Sequence, residues 1–155
     1  MKYLIISLML LLATNFAKSQ ESNSTDSVKA VINQLFTAMK NADSVLLKQC
    51  FHNDAILETI VTKKDGSIVV LQEKKEQFFA SVGRLGKGDA DERIEFKIVL
   101  INKQLASVWT PYQFYYKGQF SHCGVNSFQL VFQKEGWRIK YLIDTRYKDD
   151  CAKNN

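Results

Sequence analysis

The last third of the chain, from Leu105 to Tyr147, contains three aromatic-rich runs that are separated by two short turns. The turns are the dipeptides Lys117-Gly118 and Glu135-Gly136. Runs of aromatic and β-branched residues on either side of a short glycine turn predict antiparallel strands joined as hairpins. The chain must therefore fold around a sheet with at least three long consecutive strands.

Strict alternation around the two turns assigns the faces of these strands. The face predicted to point inward is apolar with a few polar residues: Leu105, Trp109, Gln113, Phe120, His122, Asn126, Phe128, Leu130, Phe132, Ile139, Tyr141, Ile143 and Thr145. The opposite face carries Ala106, Val108, Thr110, Tyr112, Phe114 and Val125, and is too apolar for a fully solvated surface. Asp144 also falls on the opposite face, where Arg138, Lys140 and Arg146 predict surface ion pairs.

The first half of the chain has helical spacing in three places. Apolar residues recur three and four positions apart in the first of them, at Val28, Val31, Ile32, Leu35, Phe36 and Met39. This pattern predicts an amphipathic helix that Thr25 or Asp26 caps. Ser44 is expected to cap a shorter second helix, and Glu73 to Val82 returns to helical spacing.

Further strands complete the predicted sheet. Ile56 to Val61 and Ser67 to Leu71 flank the dipeptide Asp65-Gly66, which is a strong hairpin signal between β-branched runs. Arg93 to Ile101 alternates between apolar and polar residues and predicts one more strand. The expected fold class is α+β, with a curved, mostly antiparallel sheet around about three N-terminal helices.

The first 19 residues have the features of a secretory signal peptide. Lys2 precedes an apolar run from Tyr3 to Ala13, and small residues stand at Ala17 and Ser19. We therefore expect an exported protein, periplasmic or secreted, without stable membrane insertion, because the apolar run is shorter than a membrane span. After the leader, residues 20–24 are expected to be a flexible polar tail, 25–148 one domain, and 149–155 a C-terminal tail.

The charge of the chain is mildly basic and argues against nucleic acid as a partner. Loss of Lys2 and Lys18 with the leader lowers the formal charge from +5 by two, and the remaining basic residues are scattered among acidic ones. The three cysteines, Cys50, Cys123 and Cys151, leave at least one thiol unpaired. A Cys123–Cys151 disulfide is expected to tie the tail to the sheet, provided that the tail curls back, since strict pairing places Cys123 opposite Lys148.

Several segments together resemble a known family. They are the helix from Asp26 to Lys40, the run Phe51-His52-Asn53-Asp54-Ala55, the strands from Ala106 to Ile139, and the segments Ser121 to Phe128 and Asp144-Thr145-Arg146. In this order they resemble the nuclear-transport-factor-2-like superfamily, and the last two resemble its small secreted bacterial members. The superfamily shares a cone-shaped α+β fold with ketosteroid isomerase, scytalone dehydratase and SnoaL-like cyclases. The resemblance implies an internal pocket and a homodimer through the outer sheet face.

Two histidines and one aspartate are the candidate catalytic residues. His122 lies on the predicted inner face, where an imidazole can exchange protons near neutral pH, although a histidine satisfied by a neighbour fits the same position. His52 and Asp54 lie before the first strand, where Asp54 could orient either imidazole or simply close a turn. No aspartate is expected in the pocket from the strands, which argues against a mechanism of the ketosteroid isomerase kind.

The predicted function is the binding of a small apolar or aromatic molecule in the pocket of an exported protein. The residues expected to contact it are Trp109, Gln113, Asn126, Phe128, Tyr141, Phe36 and Met39. One alternative is an acid–base enzyme, such as a dehydratase, isomerase or cyclase, that uses His122 without cofactor or metal. Cysteine and histidine spacings do not fit a zinc site. A second alternative is a dimerisation or docking module whose internal pocket is filled by its own side chains.

Overall fold

The computed structural model describes residues 24–149 and Cys151. The elements, in chain order, are α1 (residues 24–40), α2 (Ser44–Gln49), β1 (Phe51–Thr62), β2 (Ile68–Glu73), α3 (Lys75–Val82), β3 (Ala90–Ile94), β4 (Ile98–Asn102), β5 (Leu105–Tyr116), β6 (Gln119–Gln133) and β7 (Gly136–Arg146). The predicted signal peptide, 1–19, lies outside the described residues, as does the predicted polar tail up to residue 23. Residue 24 is already helical, so α1 begins before the predicted caps.

The strands form one mixed sheet in the order β2-β1-β7-β6-β5-β3, and β4 also pairs with β5. The pair β1–β7 is parallel, and the other pairs are antiparallel. The single strand predicted from Arg93 to Ile101 is in fact two strands that pair with successive halves of β5. With three helices before the long strands, the fold is the predicted α+β cone.

Local signals placed most elements correctly. β1 and β2 form the predicted hairpin around Asp65-Gly66, where Gly66 adopts a positive φ of 83°. Its turn is closed by Asp65, whose carboxylate accepts hydrogen bonds from the backbone and side chain of Ser67. The cap of α2 is Asp43, one residue before the predicted Ser44, because its carboxylate accepts from the free amides of Val45 and Leu46.

The core lies between α1 and the inner face of the sheet. Val28, Ile32 and Leu35 of α1 are almost completely buried, as their helical spacing predicts. The ring of Phe36 meets that of Phe128 edge to face, with centroids 6.3 Å apart. Phe128 itself has no exposed surface, so the middle of β6 forms the centre of the core. No helix in the described ranges is long and apolar enough to cross a membrane.

Two β-bulges shift the register among the strands β5, β6 and β7. Between β5 and β6, Tyr115 pairs with Phe120 but Phe114 pairs with His122, so Ser121 is an extra residue. Between β6 and β7, Leu130 pairs with Ile139 but Gln129 pairs with Tyr141, so the strands slip again, at Lys140. Because side chains alternate with a period of two, each one-residue slip exchanges the faces of the strand beyond it.

The first bulge makes the face prediction for β5 wrong. The residues that share the buried inner face with Phe128 are Ala106, Val108, Thr110 and Tyr112, whereas Leu105, Trp109 and Gln113 are exposed. Except for Val125, which pairs with Pro111 on the outer face, the apolar patch that suggested a homodimer therefore faces the core and cannot make that contact. Exposed apolar residues of the outer face are instead Ile98, Leu100, Leu105 and Trp109. A homodimer through this face stays a prediction.

The second bulge makes the face prediction for β7 wrong from Tyr141 onward. Leu142, Asp144 and Arg146 line the interior of the cone. Tyr141 points outward, where its hydroxyl donates a hydrogen bond of 2.6 Å to Glu58. Asp144, expected on the surface, is therefore a buried residue.

The C-terminal tail is fastened to the middle of the sheet. Cys123 and Cys151 are joined by a disulfide, and the backbone of Cys123 pairs with Tyr147 through two hydrogen bonds. The chain then turns back so that Cys151 reaches Cys123. Cys50 is a buried free cysteine. The tail is thus held next to Gly124 and His122, which border the interior of the cone.

Candidate functional site

A cavity of about 70 Å³ lies between α1 and the inner face of the sheet. One side of it is apolar and is lined by Leu35, Phe36, Met39, Leu57, Phe78 and Leu142. The other side is polar and is lined by Glu58, Thr59, Glu73, Glu92, Tyr112, His122, Asn126, Asp144 and Arg146. The cavity therefore offers an apolar wall from α1, α3 and the strand residues Leu57 and Leu142, and a polar floor from the strands.

The polar floor is organised as a row across four strands, which we call the polar row. Strand register aligns Thr59 of β1 with Asp144 of β7, Asp144 with Asn126 of β6, and Asn126 with Thr110 of β5. The neighbouring row, Leu57, Leu142, Phe128 and Val108, is apolar. Polar groups in a core need partners, so this row is a costly feature in a sheet that could otherwise be filled with hydrocarbon.

Asp144 is the most heavily bonded member of the polar row. Thr59 donates to one carboxylate oxygen at 2.6 Å, while the Tyr112 hydroxyl and the Arg146 Nε donate to the other at 2.9 and 2.8 Å. Burial, together with the Asp144 charge, raises the pKa of Tyr112 well above its usual range, so its hydroxyl stays protonated. Asp144 is held in one orientation by these donors and balanced in charge by Arg146.

Glu92 reaches the same cavity from the edge strand β3. Its Oε1 accepts a 2.8 Å hydrogen bond from the side-chain amide of Asn126, its one hydrogen-bond partner among the described residues. Burial raises the pKa of Glu92 to about 7; the Asp144 charge acts in the same direction, against the Asn126 hydrogen bond and Arg146. Glu92 is thus a carboxyl group that exchanges its proton near neutral pH, the property needed in a general acid or base.

Arg146 and Glu73 mark where the cavity meets solvent. The Arg146 side chain is 46% exposed, although its Nε is bound to Asp144. Glu73, at the end of β2, is exposed over much of its surface. Partial burial of its carboxyl group still raises the pKa of Glu73 above the ordinary value. Access from solvent is therefore on the side of β2 and the end of β7.

The predicted catalytic residues do not converge. His122 lines the cavity, with its ring centroid 5.7 Å from that of Tyr112 and 5.0 Å from that of Phe114. Its Nδ1 is 3.0 Å from the hydroxyl of the adjacent Ser121, and burial lowers its pKa, which favours the neutral ring. His52 lies in a different groove, and its Nδ1 accepts from the backbone of Asp54. The Asp54 side chain is 80% exposed, so neither residue can serve a reaction in the cavity.

The residues predicted to bind a ligand divide in two groups. Asn126, Phe36 and Met39 line the cavity, and Phe128 packs against Phe36 in the core. Trp109, Gln113 and Tyr141 lie outside the cavity, because the two bulges put them on the outer face of the sheet. Glu92 was missed because the predicted strand began at Arg93, whereas β3 begins at Ala90. Within the described ranges, no group of three or more histidine, cysteine, aspartate or glutamate side chains could hold a metal ion.

We expect the stability of the protein to report the titration of Glu92. The ordinary pKa of 4.5 applies to the unfolded chain, and the folded value is about 7. Because the folded state holds the proton more tightly, the stabilisation is complete below pH 4.5 and is lost as the pH rises through 7, by up to about 3 kcal/mol. His122 acts in the opposite direction, since its lowered pKa favours folding at higher pH.

Urea unfolding of the wild type and of Glu92→Gln between pH 4 and 8 separates the two effects. The difference in the free energy of unfolding between them should change across this interval. A matched control is Glu95→Gln, on the same segment but exposed and paired with Lys97 at 2.9 Å. If the profiles of wild type and Glu92→Gln run parallel, Glu92 has no raised pKa.

Comparisons with known proteins identify the fold. No protein-family model matches the chain, and no curated protein matches it. Solved structures do match. One is an NTF2-like protein of unknown function from Shewanella baltica, which is 14% identical, covers 84% of this chain and 97% of its own, and has a TM-score of 0.61. A second is an NTF2-like protein with a cystatin-like fold from Novosphingobium aromaticivorans, with 13% identity over 91% of this chain and 93% of that one and a TM-score of 0.64. A third is a domain of unknown function with a cystatin-like fold from Nostoc punctiforme, with 20% identity over 84% of this chain and 82% of that one and a TM-score of 0.63.

These likenesses extend over most of the chain and concern its fold. The protein has the NTF2-like, cystatin-like cone fold, which confirms the resemblance that its sequence segments indicate. At 13 to 20% identity, the neighbours carry no information on chemistry. Function must therefore be argued from the cavity itself.

Proposed function

We propose that the protein binds a small molecule in the cavity between α1 and the polar row. The observation that carries the proposal is an unfilled cavity that is lined on one side by apolar side chains and on the other by the hydrogen-bonded pair Glu92 and Asn126. A pocket with apolar walls and a few fixed polar groups is the usual design of a small-molecule site. The apolar body of the ligand would contact Leu35, Phe36 and Met39, and its polar head would face Glu92 and Asn126.

The size of the cavity narrows the choice of ligand. Its volume of about 70 Å³ is below the roughly 300–1,000 Å³ of sites for drug-sized molecules. The ligand is therefore a small molecule, or a longer one whose body extends past Arg146 and Glu73 into solvent. The expected aromatic walls Trp109 and Tyr141 do not contribute.

We also propose that the protein works after export. The disulfide between Cys123 and Cys151 supports this, because such bonds persist in oxidising compartments and are rare in reducing ones.

A ligand screen by NMR tests the proposal directly. Small fragments with neutral, cationic and anionic heads are added to the protein, and the side-chain amide signals of Asn126 are followed. Binding in the cavity should shift these signals and leave the indole N–H of Trp109, on the outer face, unchanged. Fragments that shift Trp109 but not Asn126 would place binding on the outer face, and no shift of Asn126 across the three head classes would contradict the proposal.

An acid–base enzyme is the second candidate, and one observation favours it. Glu92 has a carboxyl group that titrates near pH 7 and lies in the cavity, whereas the predicted partners of His122 lie elsewhere. The proton-transfer group would then be Glu92, held by Asn126, and not a histidine–aspartate pair. In the same NMR samples an enzyme would convert a bound fragment, and Glu92→Gln would stop the conversion without preventing binding.

A further inference from the structure

The cavity contains more acidic groups than the protein balances. Asp144 is paired with Arg146 and also accepts from Thr59 and Tyr112. Glu92 has Asn126 as its one hydrogen-bond partner among the described residues, and Asn126 is neutral. The Glu73 carboxylate makes no hydrogen bond or ion pair with the described residues, and Arg146 acts on it only through a longer-range charge interaction.

The nearest cations that could have served Glu92 are engaged elsewhere. On β3, the residue before it, Asp91, binds Lys40 of α1 at 2.9 Å and Arg93 at 3.1 Å. The groups that face Glu92 are Asp144 and Arg146 of β7, Tyr112 of β5, and Asn126 and His122 of β6, with Glu73 of β2 at the mouth. The lining also includes Glu58 of β1, whose carboxylate accepts a hydrogen bond from Tyr141. α1 contributes only apolar side chains to this cavity. Arg146 is bound to Asp144, so Glu92 has no counterion of its own among the described residues.

Unused hydrogen-bonding capacity lies beside this carboxyl group. Asn126 is bound to Glu92 through its side-chain nitrogen, and its amide oxygen accepts no hydrogen bond from the described residues. The second oxygen of Glu92 is likewise without a donor in that part of the chain. Thr110, the next member of the polar row, is fully buried, and its hydroxyl has no hydrogen-bond partner among the described residues. Thr110 does not line the cavity, so the groups there that lack a donor are the amide oxygen of Asn126 and the second oxygen of Glu92.

We propose that the ligand carries a protonated amine on a short apolar chain, with the ammonium group donating to Glu92 and to the amide oxygen of Asn126. This inference rests on the proposed function and adds the chemical class of the ligand. An ammonium group supplies three donors and the positive charge that Glu92 lacks. A carboxylate ligand would face three acidic side chains, Glu92, Asp144 and Glu73. The guanidinium group at the cavity, that of Arg146, is already bound to Asp144. An alcohol would supply one donor and no charge.

Binding of an amine is coupled to the ionisation of Glu92. Burial without a counterion favours the protonated carboxyl group, and an ammonium ion restores the ionised form, so binding releases a proton below pH 7. Between pH 6 and 8 the ionised fraction of such a group rises from about a tenth to about nine-tenths, and the amine should bind about tenfold more tightly. Alkylamines stay protonated over this interval, since the lysine amine has a pKa near 10.4. A neutral ligand shows no such rise.

Three probes with the same four-carbon chain test the inference: n-butylamine, 1-butanol and butyrate. Each is titrated into the protein at pH 6 and pH 8, with the Asn126 side-chain amide signals locating the binding. We expect n-butylamine to bind at least about tenfold more tightly than 1-butanol at pH 8, and butyrate to bind most weakly. The advantage of the amine should shrink at pH 6, while the affinity of 1-butanol stays the same.

Two variants assign the preference to Glu92. Glu92→Gln should bind n-butylamine no more tightly than 1-butanol, and Glu95→Gln should keep the amine preference of the wild type. If Glu92→Gln does not fold, the pH series on the wild type still decides. Equal affinity of amine and alcohol at pH 8, or an amine preference that survives Glu92→Gln, overturns the inference while leaving the proposed function in place. If none of the three probes, nor any fragment of the screen, shifts Asn126, both fail.

Discussion

Replacing Phe128 with Ala should lower the free energy of unfolding by about 3–5 kcal/mol. Phe128 has no exposed surface, and its ring meets Phe36 edge to face in the middle of the core. Removing it leaves a cavity between α1 and β6 that the packed strands on either side cannot close. Trp109→Ala is the matched control from β5, because Trp109 lies on the outer face and is 45% exposed. For that variant we expect a loss of about 1 kcal/mol or less.

Urea denaturation of both variants, with a constant m-value, provides the comparison. The pair tests the register of β5 against β6 as well as the packing. Had the two-residue turn at Lys117-Gly118 set the register alone, Trp109 would be a core residue and its replacement would cost several kcal/mol. A larger loss for Trp109→Ala than for Phe128→Ala would therefore contradict the bulge at Ser121.

The elements of the fold were predictable because their signals are local. The apolar spacing of α1 and the Asp65-Gly66 hairpin act within a few residues, and both are present as predicted. The order of the elements then indicated the cone. The strand from Arg93 to Ile101 was less accurate, since its division into β3 and β4 depends on where β5 offers partners.

The faces of the strands were harder to predict, because a bulge changes them all at once and leaves little trace in sequence. For β5 a second signal was present: Ala106, Val108, Thr110, Tyr112 and Phe114 form a more continuously apolar set than the alternate residues. Its apolarity was attributed to a dimer contact when it in fact reflected the core. Composition was therefore the better guide there, and turn counting was the weaker one.

For β7 composition gave no such help. Tyr141, Ile143 and Thr145 look more suited to an interior than Leu142, Asp144 and Arg146, yet the second set faces the cavity. A charged pair in the interior is unfavourable unless other groups satisfy it, and the groups that do so, Thr59 and Tyr112, come from strands far apart in sequence. Long-range pairing of this kind cannot be read from one segment. The candidate site thus depends on the part of the fold that sequence patterns specify least.

Glu92 illustrates the remaining gap. A strand begun at Ala90 would have put Glu92 on the same face as Ala90 and Ile94, so alternation alone could have placed it inside. The predicted strand began at Arg93, so Glu92 was left outside it. Its proximity to Asn126, 34 residues later, follows from β5 lying between β3 and β6.

Gly124→Ala is expected to be the most damaging small substitution in the sheet. A Cβ at this position would lie 1.8 Å from the carbonyl oxygen of Thr145 and 3.0 Å from Cε1 of Tyr112. The first neighbour is backbone of β7 and cannot rotate away, so β6 and β7 would have to separate next to the disulfide at Cys123. We expect a loss of about 4 kcal/mol, more than the 1–3 kcal/mol of ordinary overpacking.

The same change should disturb the cavity, because Gly124 leaves the space in which Tyr112 reaches Asp144 and the carbonyl of Thr145. Urea unfolding measures the stability, and the Asn126 amide signals of any folded fraction report on the polar row. Gly118→Ala is the control: its φ of 77° is strained for alanine, but nothing lies within 4 Å of the added carbon. There the loss should be about 1 kcal/mol, the cost of the left-handed conformation alone. If both variants lose the same stability, backbone conformation and not the close approach of β6 and β7 explains the glycine at 124.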